Sequence, residues 1–182
     1  GVPSNRFRVF VICVNENIKK EFYFPTPNIL KKKLTVGDII SKPLPKNEIN
    51  EVWDISDATL RSIKHIKEGG SWKDIPDQFL SKAHKKVRKN IKRYRSPNFY
   101  RRFARGEIMG TITATSSPEN SGILHPLENR RYSVREIARF QSFPDNFKFY
   151  GNSIPFKYSM IGNAVPPNLA YRIAKSILDY IF

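Results

Sequence analysis

Residues 130–147 read RRYSVREIARFQSFPDNF, and residues 158–173 read YSMIGNAVPPNLAYRI. The first stretch carries Ser133-Val134-Arg135-Glu136, a capping box. Its hydroxyl and carboxylate, three residues apart, satisfy backbone N–H groups that a helix start leaves bare. A helix is therefore predicted from Ser133, with Val134, Ile137, Ala138 and Gln141 on one side and Phe143-Pro144-Asp145 as its end. The second stretch leads into a terminal helix that begins at Pro166 or Pro167, where a missing N–H costs nothing. Along it Leu169, Ile173, Ile177 and Ile181 recur every fourth residue beside Ala170, Ala174 and Leu178. Such a stripe has to bury itself against something larger.

Outward from this anchor the pattern is less regular. Residues 6–14, RFRVFVICV, carry the β-branched and aromatic signature of a strand, and residues 9–14 are apolar at every position, as in a strand buried inside a sheet. Cys13 in that run is expected to be a small core residue. Arg6 and Arg8 lie two apart and so share one face of the strand. Two parallel guanidinium forks suit phosphate, carboxylate or a base edge, although by themselves they read first as a solvated strand end. Residues 21–24 read as a short second strand, residues 34–40 as an amphipathic turn or helix, and residues 110–114, GTITA, as a third strand. A helix is predicted over residues 56–67 with Leu60, Ile63 and Ile66 inward and Gly69-Gly70 as its stop. Residues 72–80 follow with a proline break. Residues 116–122 read as a polar loop.

The formal net charge is +16, a balance that in a folded domain points to a polyanion, nucleic acid first. The charge is concentrated: residues 82–105 contain 11 Lys or Arg and no acid, interleaved with Ile91, Tyr94, Phe99, Tyr100 and Phe103. The first part of this segment, to about Tyr94, reads as helical before Ser96-Pro97-Asn98 breaks it. A single cysteine leaves no intrachain disulfide, in keeping with a reducing cytosol. The three histidines, His65, His84 and His125, have no metal-ligand spacing, so no metal is expected. No apolar run reaches the roughly 20 residues of a spanning helix, and no membrane association is expected. The chain starts at Gly1 rather than Met, which reads as a trimmed, processed or excised sequence. Nothing in it is a self-sufficient catalytic constellation.

Three segments in order resemble the DNA cytosine-5 methyltransferases. Residues 1–12, GVPSNRFRVFVI, resemble the family's motif VIII, a Gly-x-Pro turn followed by Gln-x-Arg-x-Arg and an apolar strand; Ser4 replaces the glutamine, and Arg6 and Arg8 hold the arginine positions. Residues 130–147 resemble motif IX through Arg135-Glu136, Ala138-Arg139, Gln141 and Phe143-Pro144-Asp145. Residues 161–170, IGNAVPPNLA, resemble motif X. Between them, Tyr100-Arg101-Arg102-Phe103 and Gly110-Thr111-Ile112-Thr113 are similar to the end of the family's target recognition domain. Residues 65–76, HIKEGGSWKDIP, resemble a stretch of its bacterial members.

That resemblance implies an enzyme that flips a cytosine from the duplex, attacks C6 with a cysteine and moves a methyl group from S-adenosylmethionine to C5. The family's Pro-Cys, Glu-Asn-Val and Phe-x-Gly-x-Gly elements precede motif VIII and are absent here. The chain alone is thus expected to be inactive, a C-terminal portion awaiting an N-terminal catalytic portion in the same or a separate chain. The implied fold class is a partial α/β one. Residues 1–15 would end a Rossmann-like catalytic domain, residues 16–130 form an irregular α+β target recognition domain, and residues 131–182 return to the catalytic domain. Arg8 would approach the flipped cytosine's carbonyl oxygen, with Arg6 supporting it or a phosphate. Asn163, Ala164 and Val165 would close the cofactor pocket, with Gly162-Asn163 as a turn opening a helix. Lys85, Lys86, Arg88, Lys89, Lys92, Arg93, Arg95, Arg101, Arg102, Arg105, Thr111 and Ile112 are the implied contacts to double-stranded DNA. Arg135, Glu136 and Arg139 read as structural. The implied setting is a bacterial restriction–modification system, in the cytoplasm; the competing reading is a separate, non-catalytic DNA-binding subunit of a split methyltransferase.

Overall fold

The capping box forms as the sequence predicts, and it sits at the centre of the molecule. In the computed structural model, which describes residues 1–27, 33–46, 51–90, 99–115, 117 and 121–182, every residue from 131 to 140 is buried. Six helices are present among the described residues: α1 (Val36–Ile40), α2 (Asp57–Ile63), α3 (Lys82–Lys89), α4 (Val134–Phe140), α5 (Ile154–Asn163) and α6 (Pro167–Ile181). Ser133 caps α4, with its Oγ accepting from the Glu136 N–H while the Glu136 carboxylate accepts from the Ser133 N–H. Helix α4 packs between α1 and α5.

Two apolar clusters organise the rest. The larger joins Val36 and Ile39 of α1, Met109, Ile112 and Ile123 of the connecting segments, α4, and Tyr158 and Ile161 of α5. The smaller gathers Ile63, Ile66, Trp72, Ile75, Leu80, Tyr100 and Leu124 around α2 and two 3-10 turns, Trp72–Asp74 and Asp77–Phe79, separated by Pro76. Leu124 joins the two units through isolated bridges to Arg102 and Arg131.

Several expectations change. Among the described residues no strand forms: residues 6–14, 21–24 and 110–114 are extended or irregular, and the sheet content is three isolated bridges. An apolar run makes a strand only where a neighbour offers its N–H and C=O groups. Residues 6–14 have no such neighbour, so Phe7, Val9 and Val11 stand exposed, and Cys13 is exposed rather than in the core. The partial α/β reading is met here by helices and little else. Helix α2 stops at Ile63, ahead of Gly69-Gly70, and Leu60 faces outward while Thr59 and Ser62 turn in. The α6 stripe is only half covered: Ile173 and Ile181 are buried, while Leu178 is 62% exposed. Helix α5 was not legible at all.

Three side chains, Arg130, Glu136 and His125, close the centre. Arg130 donates to both Glu136 oxygens, at 2.7 and 3.1 Å. His125 accepts the Leu127 and Glu128 N–H groups on Nδ1, which leaves its proton on Nε2, 3.6 Å from Glu136. Burial pushes the Glu136 carboxyl up, but Arg130's hydrogen bonds and charge outweigh it and hold the group below the usual range. Burial, then Arg130, also lower the His125 pKa and keep it neutral. Both shifts are downward, so the stability they give is present at neutral pH and is lost on acidification, from about pH 6.5 for His125 and about pH 4.3 for Glu136. Glu136→Gln is expected to cost about 2 kcal/mol, less than the roughly 3–5 kcal/mol of a fully buried pair because Arg130 keeps Glu128 and some solvent. Urea midpoints measured across pH check this: below about pH 4.5 the variant's curve should fall less steeply than the wild type's.

Candidate functional site

The first residues of the chain are held in place from three sides. Ser4 bridges Met109 in parallel, the Asn5 N–H donates to the Met109 carbonyl (2.8 Å), and Thr111 Oγ1 donates to the Asn5 carbonyl (2.9 Å). Arg6 Nη1 then donates to the carbonyls of Ile112 (2.8 Å) and Gly162 (2.6 Å). Three segments far apart in sequence thus meet at one guanidinium. Gly162 makes the approach possible: a Cβ there would lie 2.5 Å from Ala114 N and from the Thr113 carbonyl atoms. From the other side the Asn168 N–H donates to Ser142 Oγ and its Nδ2 to the Gly1 carbonyl. Ser142 holds a left-handed φ of 63°, which turns the chain sharply after α4.

The result is a cleft of about 480 Å³. Ser4, Arg6, Arg8, Val9 and Phe10 form one wall, and Asn163, Ala164, Val165, Pro166 and Leu169 the other. The residues singled out for catalysis and for the cofactor therefore line one space. Their states differ. Arg6 spends its Nη1 on two carbonyls, and burial together with the charge of Arg8 lowers its pKa. Arg8 is exposed and, among the described residues, donates only to its neighbour's carbonyl, Phe7 O (2.6 Å), so its guanidinium is the more available of the two to a ligand in the cleft. Gly162-Asn163 closes α5 rather than opening a helix; Ala164 leaves it extended, and Pro166 precedes α6. Asn163 is exposed at that end. Apolar walls with a few polar groups suit an amphiphilic small molecule. Val9, Phe10 and Leu169 belong to the cleft but carry no signal by which sequence alone would find them.

The segment nominated for DNA separates into open and closed side chains. Lys86 and Lys89 on α3 are exposed and Lys85 half-buried. Arg88 is turned inward, bonded to Asp77 (2.6 Å) and to the carbonyls of Trp72 (2.8 Å) and Ile75 (2.9 Å), over the Trp72 ring. Arg101 binds Glu107 and the carbonyls of Gly69 and Gly70. Arg102 is 2% exposed and donates to the His125, Glu128 and Ile63 carbonyls and to Asn129. Arg105 pairs with Glu68 at 3.0 Å. Ile112 is buried in the larger cluster. Arg102 and Ile112 thus leave the set that can touch DNA, because their polar or apolar surface is already consumed by the fold. Lys92, Arg93 and Arg95 lie outside the described residues. Of the three residues read as structural, Glu136 accepts from Arg130 and Ser133, Arg135 donates to the Pro144 and Phe147 carbonyls, and Arg139 binds Asp145 and the carbonyls of Lys42 and Pro43. Among the described residues no three His, Cys, Asp or Glu gather as a metal ion requires, and no helix is long and apolar enough to cross a membrane.

A family model for C-5 cytosine-specific DNA methylases matches residues 1–179. Among relatives, the type II methyltransferase M.NgoFVII of Neisseria gonorrhoeae is 39% identical over 98% of this chain and 46% of its own length. M.Sau96I of Staphylococcus aureus is 33% identical over 99% of the chain and 41% of its own. The type II methylase M.HgiDII of Herpetosiphon aurantiacus is 30% identical over 100% and 53%. The chain spans about half the length of the curated relatives it matches.

The junction yields a direct comparison of two glycines. At Gly162 the added methyl meets backbone that cannot move aside, whereas at Gly106 it meets nothing within 4 Å. Gly162→Ala is expected to destabilise the protein by about 2–3 kcal/mol, as overpacking does. Gly106→Ala should stay within about 0.5 kcal/mol of wild type. Urea denaturation of both variants checks the contrast.

Proposed function

The chain belongs to the C-5 cytosine-specific DNA methylases, and from that premise we propose that it is the C-terminal portion of a type II DNA cytosine-5 methyltransferase of a restriction–modification system. It recognises a duplex sequence and completes the site in which a methyl group passes from S-adenosylmethionine to C5 of a flipped cytosine. The observation that carries this reading is the shared cleft: Arg8 on one wall faces the same space as Asn163, Ala164 and Val165 on the other.

In this reading Arg8 holds the carbonyl oxygen of the extruded cytosine and stabilises the charge that develops on the ring during attack at C6. Arg6 does not touch substrate; it fixes the wall from which Arg8 projects. S-adenosylmethionine supplies the methyl group. The residues present fit one side of its site: an apolar surface from Val165, Pro166 and Leu169, and the exposed Asn163 amide at the end of α5. The nucleophilic cysteine comes from the N-terminal portion, in the same or a separate chain, so this chain alone transfers nothing. Exposed Phe7 (94%) and Val9 (90%) and the outer face of α6, with Tyr171 and Leu178, are the surfaces on which that portion would seat. Residues of the unit around α2 and α3 form the recognition part, with Lys85, Lys86 and Lys89 on phosphates.

Transfer of radiolabelled methyl groups to duplex DNA, with this chain joined to the portion that carries the Pro-Cys element, tests the reading. The complete protein should methylate cytosine and this chain alone should not. Arg8→Ala should lower kcat about 10²–10³-fold, the usual loss for one stabilising donor, with DNA affinity little changed. Unchanged turnover in that variant contradicts the role given to Arg8. Replacing Lys85, Lys86 and Lys89 together should reduce the slope of log affinity against log salt by about 0.9 for each phosphate that is no longer neutralised.

A further inference from the structure

The guanidinium groups of Arg88, Arg101 and Arg102 are turned onto carbonyls or carboxylates of this chain, and that of exposed Arg105 is paired with Glu68. Arg61 is different. It lies on α2, in the same basic unit, is exposed, and makes no side-chain hydrogen bond or ion pair among the described residues. It stands on the ridge between two hollows, lining both. One, of about 310 Å³, is floored by Thr59 and Ser62 and flanked by Gln78 and Ser81. The other, of about 580 Å³, adds Asp57, Lys64 and Asn129. Gln78 is also exposed, and its amide is likewise unbonded among the described residues.

Both side chains stand on rigid backbone. The α2 helix and the 3-10 turn Asp77–Phe79 are pinned together by Ser62 Oγ donating to the Phe79 carbonyl (2.7 Å) and by the His65 ring stacked on Phe79 at 4.6 Å. Exposed Lys64, Lys67 and Lys73 lie along the same unit, and Ser81 of the first hollow caps α3, which carries Lys86 and Lys89. Lysines hold phosphates as point charges, without sequence information. Planar groups with free donors and acceptors are the side chains best suited to reading base edges. An arginine fork suits the O6 and N7 of guanine, and a glutamine amide suits the N6 and N7 of adenine.

We propose that Arg61 and Gln78 are specificity-determining residues that read base edges of the target duplex, with the surrounding lysines on its phosphates. The proposal rests on the methyltransferase reading above. Its test is methylation of a random-sequence plasmid library by the complete enzyme in a host free of cytosine methylation, read by bisulfite sequencing. Wild type should give one discrete motif; no motif at all defeats the methyltransferase reading itself rather than this assignment. Arg61→Ala and Gln78→Ala should each still methylate but lose discrimination at one base position by about tenfold or more. Lys89→Ala should keep the motif and lower the yield as salt rises. An unchanged motif in both alanine variants, even with slower methylation, reduces Arg61 and Gln78 to phosphate or solvent contacts and overturns the proposal. Complete loss of methylation in folded alanine variants, with circular dichroism unchanged, overturns it as well, because a base-reading contact governs choice of site rather than turnover.

Discussion

The hydrogen bonds from Arg6 to the carbonyls of Ile112 and Gly162 are what the candidate site depends on. Without strand pairing, the first ten residues are otherwise held to the core by one bridge, two short contacts to residues 109 and 111, and the Asn168 amide on the Gly1 carbonyl. The guanidinium replaces a sheet edge with a point attachment, donating where neighbouring strands would have donated. It works only because Gly162 lacks a side chain, so that the last turn of α5 can press against the backbone of residues 113–114. That close approach sets where Asn163, Ala164 and Val165 emerge. Arg8, two residues on, then faces them across the cleft.

The part of the fold that was legible in sequence is the part in which local chemistry decides. The Ser133–Glu136 box, the proline start of α6 and the proline break between the two 3-10 turns depend on neighbours within a few residues, and each forms. The strand readings failed for the opposite reason. Alternation and β-branching describe a surface that fits a sheet, but the sheet is a property of partners, and residues 6–14 have none here. Helix α5 has no clear sequence signal, since IPFKYSMIGN carries a proline, a glycine and no sustained apolar stripe; it is set by packing against α4. The burial of α4 on every side was equally hidden. A capping box announces a helix start, not that Arg135, Glu136 and Arg139 would all be enclosed.

The sequence shows the sum of the charge but not which cations the fold consumes. A net charge of +16 and a basic run pointed to DNA, yet the arginines in the described part of that run mostly serve the fold. Arginine has five donors and a flat, weakly hydrated head, so it is the cation best able to satisfy buried carbonyls. Arg88 and Arg102 do this beneath the smaller cluster and at its border with the larger one. The lysines, which shed water less readily, stay outside. Sequence can count cations but cannot sort these two uses. Sorting them shifts attention from residues 101–105 to the α2 face, where Arg61 remains open.

Arg6 is the attachment between the N-terminal wall and the rest of the site. Hydrogen–deuterium exchange of wild type and Arg6→Met tests this most directly. If Arg6 holds the junction, amides in residues 4–6, 109–114 and 161–165 lose protection together in the variant, while those of α4 do not change. Protection lost only in residues 4–6, with the other two segments as in wild type, would contradict it.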